Sequence, residues 1–414
     1  MGYQQGLSGL AGASSDLDVI GNNIANANTV GFKASTAQFA DMYANSVASA
    51  VNNPIGIGTM LSSVQQQFSQ GTIQSSTSSL NVAINGNGFF QMSNNGVITY
   101  SRDGTFQRDK NGYITNAQGL NLMGYQANAN GVIDMAATVP LQAPTANIAP
   151  TATTKITGQF NLNAQDPLPA TSPFSFSDST SYNYQTSVQV FDSLGGSQNV
   201  NVYFVKSATS GEWEVYAGQQ GQAPTDLGAV KFNTAGAIAG TTQAGSGAPT
   251  PNVGQFSFTV PTSTGAANPL NLTLDLSGTT QYGGKNGVND LRQNGFASGV
   301  LTTFTVGSDG KLTGNYSNGQ TATLGQIVLA NFNNPNGLVN VGNNQYVETS
   351  ASGVPQISAP GSTNHGTLQG SALENSNVDL TGQLVKLITA QRNYQANAQT
   401  IKTQQSVDQT LINL

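Results

Sequence analysis

The 414-residue sequence contains no cysteine, so disulfides, thiolate metal centres and cysteine nucleophiles are all excluded. It contains one histidine, His365, in a stretch rich in Ser, Thr and Asn. A lone imidazole is poor material for a histidine metal site or a hydrolase triad. Charge is also scarce, at 8% of residues against roughly 25% in ordinary soluble domains. No run of Lys or Arg occurs and the net charge is −6, so a nucleic-acid partner is not expected. No stretch approaches the roughly 18 apolar residues of a membrane span, so no membrane insertion is expected. The first basic residue is Lys33 and no apolar run resembles the core of a signal peptide. An extracellular protein of this kind would have to be exported without a cleaved N-terminal peptide.

Motifs for chemistry are equally thin. Gly56-Ile57-Gly58 and Gly86-Asn87-Gly88 lack the third glycine of a dinucleotide fingerprint, and no P-loop is present. Asp109-Lys110-Asn111-Gly112 resembles part of a calcium loop but lacks its acidic opening and closing glutamate, so a hairpin turn is the expected use. No catalytic residue, cofactor site or metal site is assigned, and the chain is not expected to be an enzyme.

What is abundant is glycine, with 48 residues, together with neutral hydrogen-bonding side chains. A neutral surface removes the long-range repulsion between copies that would resist crowding of identical subunits. The two ends differ from the rest. Tyr3, Leu7, Leu10, Leu17 and Ile24 follow the alternating spacing of a heptad seam. Leu380, Leu384, Leu387, Tyr394, Ala398, Ile401 and Ile412 do the same at the other end, where Asp379 occupies an N-cap position. Each end reads as a helix with one narrow apolar stripe. The two can pair with each other and with neighbouring copies, ordering on assembly, or pack on the body of a monomer. Arg392 and Tyr394 lie beside this seam, suited either to a neighbouring subunit or to packing within the helix.

The middle reads as β-structure. Leu270, Leu272, Leu274 and Leu276 alternate with polar residues, as a half-buried strand does, and Val188, Val190, Val200, Val202 and Phe204 repeat the pattern. Asn95-Gly96, Asp103-Gly104, Asn111-Gly112, Asn130-Gly131, Asp309-Gly310 and Asn318-Gly319 mark strand reversals. The expected fold class is therefore mainly β with α-helical termini: nested, discontinuous β domains plus a terminal helical coiled-coil domain. The boundaries predicted are 1–32 with 371–414 for the helices and 33–75 for an extended linker. An inner β domain is expected over 76–147 with 288–370, and an inserted outer β domain over 148–287.

The stretch from Gln4 to Lys33, with Asn22-Asn23-Ile24-Ala25-Asn26 followed by Thr29, Gly31 and Phe32, strongly resembles the N-terminus of the bacterial flagellar rod and hook axial proteins. So do 371–414 at the other end, and Leu80–Phe90 and Arg102–Gly124 between them. Within that family the resemblance is closer to hook than to rod subunits, especially through Gln38-Phe39-Ala40-Asp41. The inserted domain matches only loosely. The resemblance implies an extracellular structural protein of the flagellum, exported by the flagellar type III route. It implies polymerisation into a short curved tube that carries torque from rod to filament. It also implies partners: other copies of the chain, the distal rod protein, the hook cap, the hook-length control protein and the hook–filament junction protein. Two rivals remain: a distal rod or junction subunit, and a β-rich extracellular carbohydrate-binding protein that would use the lone Trp213.

Overall fold

The computed structural model describes residues 2–42, 56–128, 131–144, 146–245, 248–250, 252–262 and 265–412. The chain is mainly β with one long helix at each end and divides into two compact units. The first comprises Met1–Thr145, Thr302–Asn315 and Thr321–Leu414, and the second Ala146–Leu301 with Tyr316–Gln320.

In the first unit, helix α1 (Gly2–Ala25) leads into a long antiparallel pair, β1 (Ser35–Met42) and β2 (Gly58–Gln66). Their register runs from Ser35 opposite Gln66 to Met42 opposite Gly58, with a bulge between Gln38 and Phe39. The segment expected to be an extended linker thus carries a paired ribbon. Asn130 of the expected Asn130-Gly131 turn lies outside the described residues.

Beyond the ribbon, β3 (Ile73–Ser75) pairs with Ala372–Glu374, and β4 (Val82–Asn85) pairs with Thr367–Gly370. These two pairings bring the outgoing and returning chain together. β5 (Phe89–Asn94) and β6 (Val97–Ser101) form a hairpin closed by Asn95-Gly96. Both turn residues have positive φ, at 49° and 97°, as a two-residue hairpin turn requires. The core here is aromatic: Phe89 meets Phe68, Phe332 and Tyr346 edge-on, with ring centroids 5.4, 5.9 and 5.8 Å away. That is the arrangement aromatic quadrupoles favour.

The second unit holds two five-stranded sheets. One is a meander running through Tyr184–Phe191, Ser197–Lys206, Glu212–Gln219, Thr225–Phe232 and Ile238–Gln243. The other pairs Lys155–Asn163 with Leu270–Asp275, Thr280–Tyr282 and Gly287–Gln293, and adds Gln255–Val260 at its edge. Leu270, Leu272 and Leu274 point into a shared core with Val188, Val200 and Phe204, as their period of two predicts. The unit extends past the expected end at 287 because Gly287–Gln293 runs antiparallel to Lys155–Asn163, from Ile156 opposite Gln293 to Asn161 opposite Gly287. The glycine-rich stretch at 278–287 contains the short strand Thr280–Tyr282, which pairs with the end of Lys155–Asn163, and leads directly into Gly287–Gln293 of the same sheet, so it does not separate domains.

Candidate assembly surface

Helix α1 and helix α2 (Leu380–Ile412) pack against each other in antiparallel sense: Gly6 lies against Ile401, Gly9 against Asn397, and Asn23 reaches Gln383. A Cβ at Gly6 would come within 2.9 Å of Ile401 Cγ1, and one at Gly9 within 2.7 Å of Asn397 Oδ1. Gly12 faces the Phe39 ring of the ribbon. The contact face of α1 is therefore a row of small residues, continued by buried Ile20 and Asn23. Asp16 is half-buried between them; burial pushes its carboxyl up and the Lys386 charge partly offsets this.

This corrects the heptad reading of how the two ends pair. Where α1 meets Ile401 and Asn397 it presents Gly6 and Gly9 rather than the large side chains of the expected seam, and the axes approach where glycine permits it. Tyr3 and Leu7 point outward and are exposed, while Leu10, Leu17 and Ile24 are half-buried. On α2, Leu380, Leu384, Tyr394 and Ile412 are exposed, and Leu387, Ala398 and Ile401 are half-buried. Of the predicted seam, Ile401 is brought directly against α1. Arg392 is exposed. Leu380, Leu384 and Ile388, four residues apart, form an outward apolar stripe beside Val385, which is 61% exposed. The ribbon adds exposed Met60, Leu61 and Val64.

The Asn-rich motif has a definite structural role. Asn26 donates through Nδ2 to the Asn22 carbonyl (2.9 Å) and to Asn22 Oδ1 (2.8 Å), capping the end of α1. Thr29 Oγ1 donates to Asn26 Oδ1 at 3.1 Å. Asn23 is buried and joins the helix to the first residue of β1. Ala25 is exposed and Phe32 is buried. Gly31 has φ +70°, and a Cβ there would lie 2.7 Å from the Asp103 backbone nitrogen, so conformation and space both demand glycine.

Next to this motif lies a buried ionic cluster. Lys33 Nζ is 2.7 Å from Glu374 Oε1, and both side chains are 0% exposed. Arg102 Nη1 reaches Glu374 Oε2 at 3.3 Å, and the Gly71 N–H donates to Oε1 at 2.9 Å. Lys33 also donates to the Ser69 carbonyl at 2.8 Å. Burial, and then the neighbouring Arg102 charge, pull the Lys33 ammonium below its ordinary range, while Glu374 pulls the other way. Asn377 completes the joint: its Oδ1 accepts from Ala34 N (2.8 Å) and its Nδ2 donates to the Gln67 carbonyl (2.7 Å). Four separated stretches of chain are locked together here. No sequence motif pointed to Lys33, Arg102, Glu374 or Asn377 as a set.

Residues considered for chemistry have structural positions. Trp213 is fully buried in the second unit's core, so it offers no face to a sugar ring. The Asp109 carboxylate accepts backbone N–H groups of Asn111 (2.9 Å) and Tyr113 (2.7 Å), forming a turn. Both ring nitrogens of His365 lie near carbonyls, those of Thr363 (2.8 Å) and Gln356 (2.9 Å), which fasten its loop. Among the described residues no group of acidic or histidine side chains is placed to hold a metal, and no helix is long and apolar enough to cross a membrane.

Comparisons with known proteins agree along the chain. Four family models match: Flagella basal body rod protein at 4–33, Flagellar hook protein FlgE/F/G D1 domain at 83–159, Flagellar basal body protein FlaE D2 domain at 161–296, and Flagellar basal body rod FlgEFG protein C-terminal at 369–414. The flagellar hook protein FlgE of Salmonella typhimurium is 42% identical over 422 residues, covering 100% of both chains. That of Escherichia coli K12 is 42% identical over 425 residues with the same coverage. That of Treponema pallidum is 30% identical over 455 residues, covering 99% of this chain and 98% of its own. The crystal structure of Helicobacter pylori flagellar hook protein FlgE2 shares the fold, with a TM-score of 0.50 at 16% identity over 73% of this chain and 100% of that one. With identity of 42% across the full length of two flagellar hook proteins and family models matched in turn along the chain, this chain belongs to the bacterial flagellar hook protein family.

Proposed function

We propose that this chain is the structural subunit of a flagellar hook, and that it polymerises through the outward faces of its terminal helices and ribbon. The observation that carries this reading is the apolar stripe of Leu380, Leu384, Val385 and Ile388, left exposed because α1 and α2 meet through glycines instead. Apolar side chains repeated on one helix face are stabilised when another chain covers them, at roughly 25 cal/mol per Å² buried. A surface patch that meets a different patch on its neighbour builds an open helical tube when the rotation does not close. The β units, with neutral Gly- and Asn-rich surfaces, would touch through wet polar contacts that re-register at small energy differences as the tube bends.

In this role the chain has no catalytic task and binds no nucleic acid. It leaves the cell by the flagellar type III route without a cleaved peptide. Its partners are further copies of itself, the distal rod protein below, the hook cap and length-control protein during growth, and the junction protein above. Electron microscopy of the purified chain after salting-out tests the reading. Short curved tubes are expected; straight tubes would move the assignment to a rod subunit, and persistent monomers would refute self-assembly.

A further inference from the structure

The first unit contains a cavity of about 400 Å³ walled by Phe68, Phe89 and Phe332, with Arg102 on its lining and Asn87 and Asn333 among its polar groups. It lies apart from the outward helix faces, and nothing in the assembly reading uses it. Arg102 is 3% exposed and sits over the Phe89 ring, its guanidinium carbon 5.5 Å from the centroid. A guanidinium carries five N–H donors. Nη1 donates to Glu374 Oε2 and Nη2 to the Gly86 carbonyl (2.8 Å), while Nε is buried with no partner. Each Nη carries two hydrogens and makes one of these bonds, so the guanidinium of this cavity-lining residue has more N–H donors than partners.

The charge count points the same way. Two buried cations, Lys33 and Arg102, share the single carboxylate of Glu374, which also accepts the Gly71 N–H. The cluster is one negative charge short, in surroundings where charge is weakly screened. Aromatic walls, amide groups and a guanidinium with spare donors are the elements of a site for an anion with an apolar body. We propose that this cavity takes up a carboxylate group, supplied either by a dissolved small molecule or by an Asp or Glu side chain of a second copy.

The test uses the full chain as a monomer, titrated with sodium benzoate and sodium acetate. Benzamide serves as the neutral isostere and sodium chloride as the ionic-strength control; NMR shifts and melting temperature are the readouts. Saturable binding of the carboxylates is expected, with benzamide at least tenfold weaker and Arg102→Gln abolishing the response. Because Arg102 is buried and its loss can impair folding, Asn333→Trp provides a second variant. Asn333 is exposed, so the indole would cover the cavity mouth with the ionic cluster intact, and binding should again be lost. An equal response to benzamide or chloride, or undiminished carboxylate binding in Asn333→Trp, would overturn the proposal. The source is read separately by polymerising the chain in saturating benzoate. Blocked assembly supports a neighbour's side chain as the occupant, and unchanged assembly supports a dissolved one. Since binding is measured on the monomer, failure of the hook reading would leave this result standing.

Discussion

The Asn23 side-chain amide closes a two-bond ring with the backbone of Ser35: Nδ2 donates to the Ser35 carbonyl at 2.7 Å, and Oδ1 accepts the Ser35 N–H at 2.8 Å. Asn23 is 1% exposed, so the last turn of α1 is fastened to the start of β1 away from water. Replacing it with Ala would leave the half-buried N–H and C=O of Ser35 without these partners, each costing up to roughly 1–3 kcal/mol. Asn23→Ala should therefore raise the hydrogen-exchange rate of the Ser35 amide and the protease sensitivity of residues 26–34. Asn23→Asp keeps an acceptor for the Ser35 N–H but cannot donate to the Ser35 carbonyl, so its rise in Ser35 exchange should be smaller than that of Asn23→Ala. Unchanged exchange at Ser35 would show that the ring does not hold the joint.

The glycines of α1 make a paired prediction. Gly21 has no atom within 4 Å of where a Cβ would stand, so Gly21→Ala should stabilise the chain by about 0.5–1 kcal/mol through helix propensity alone. Gly6→Leu drives a side chain into Ile401, and overpacking of this kind costs about 1–3 kcal/mol, more than the propensity gain. Thermal denaturation followed at the helix signal should move in opposite directions for the two. A gain for both would mean the helices do not pack through this face.

The ionic cluster predicts an order of effects. Glu374→Gln leaves two buried cations without their carboxylate and should cost about 3–5 kcal/mol. Lys33→Met leaves the Arg102–Glu374 pair balanced and should cost clearly less. Denaturant titration of both variants checks the order, and equal losses would contradict the charge count.

A pH effect is expected in the second unit. Asp275 is pushed up by burial, but bonds from Lys155 (2.7 Å) and Ser277 outweigh this and hold its carboxyl at about 2, against an ordinary 3.8. A depressed carboxyl adds stability that is fully present above pH 3.8 and is lost as pH falls toward 2. With half-exposed Lys155 screened by solvent, the contribution is about 1–2 kcal/mol. Asp275→Asn should be destabilised by that amount at pH 7, and the difference should vanish near pH 2. A constant difference across this window would exclude the linkage.

Features with a local signal were legible in the sequence. Leu270–Asp275 alternates and is a strand, Asn95-Gly96 is a turn with both residues at positive φ, and Asp379 accepts the Thr381 N–H at the start of α2. The flagellar family was legible too, through the Asn motif and the C-terminal run. The packing face of α1 was not, because a heptad reading counts large apolar residues, and Gly6 and Gly9 against α2 and Gly12 against the ribbon register as blanks. Their regular three-residue spacing was the available signal. The cluster was also hidden: Lys33 and Glu374 are 341 positions apart, and nothing local distinguishes either from a solvated charge. The strand Gly287–Gln293 was excluded from the second unit because the glycines before it read as a boundary.

The central claim is that the outward apolar stripe of α2 drives polymerisation. Its most direct test is electron microscopy of the salted-out chain beside the triple variant Leu384→Gln, Val385→Thr, Ile388→Gln. These side chains are exposed, so the variant should keep the monomer's fold and thermal stability. The account predicts tubes from the unaltered chain and only folded monomers from the variant. Tubes of ordinary length and number from the variant would contradict it.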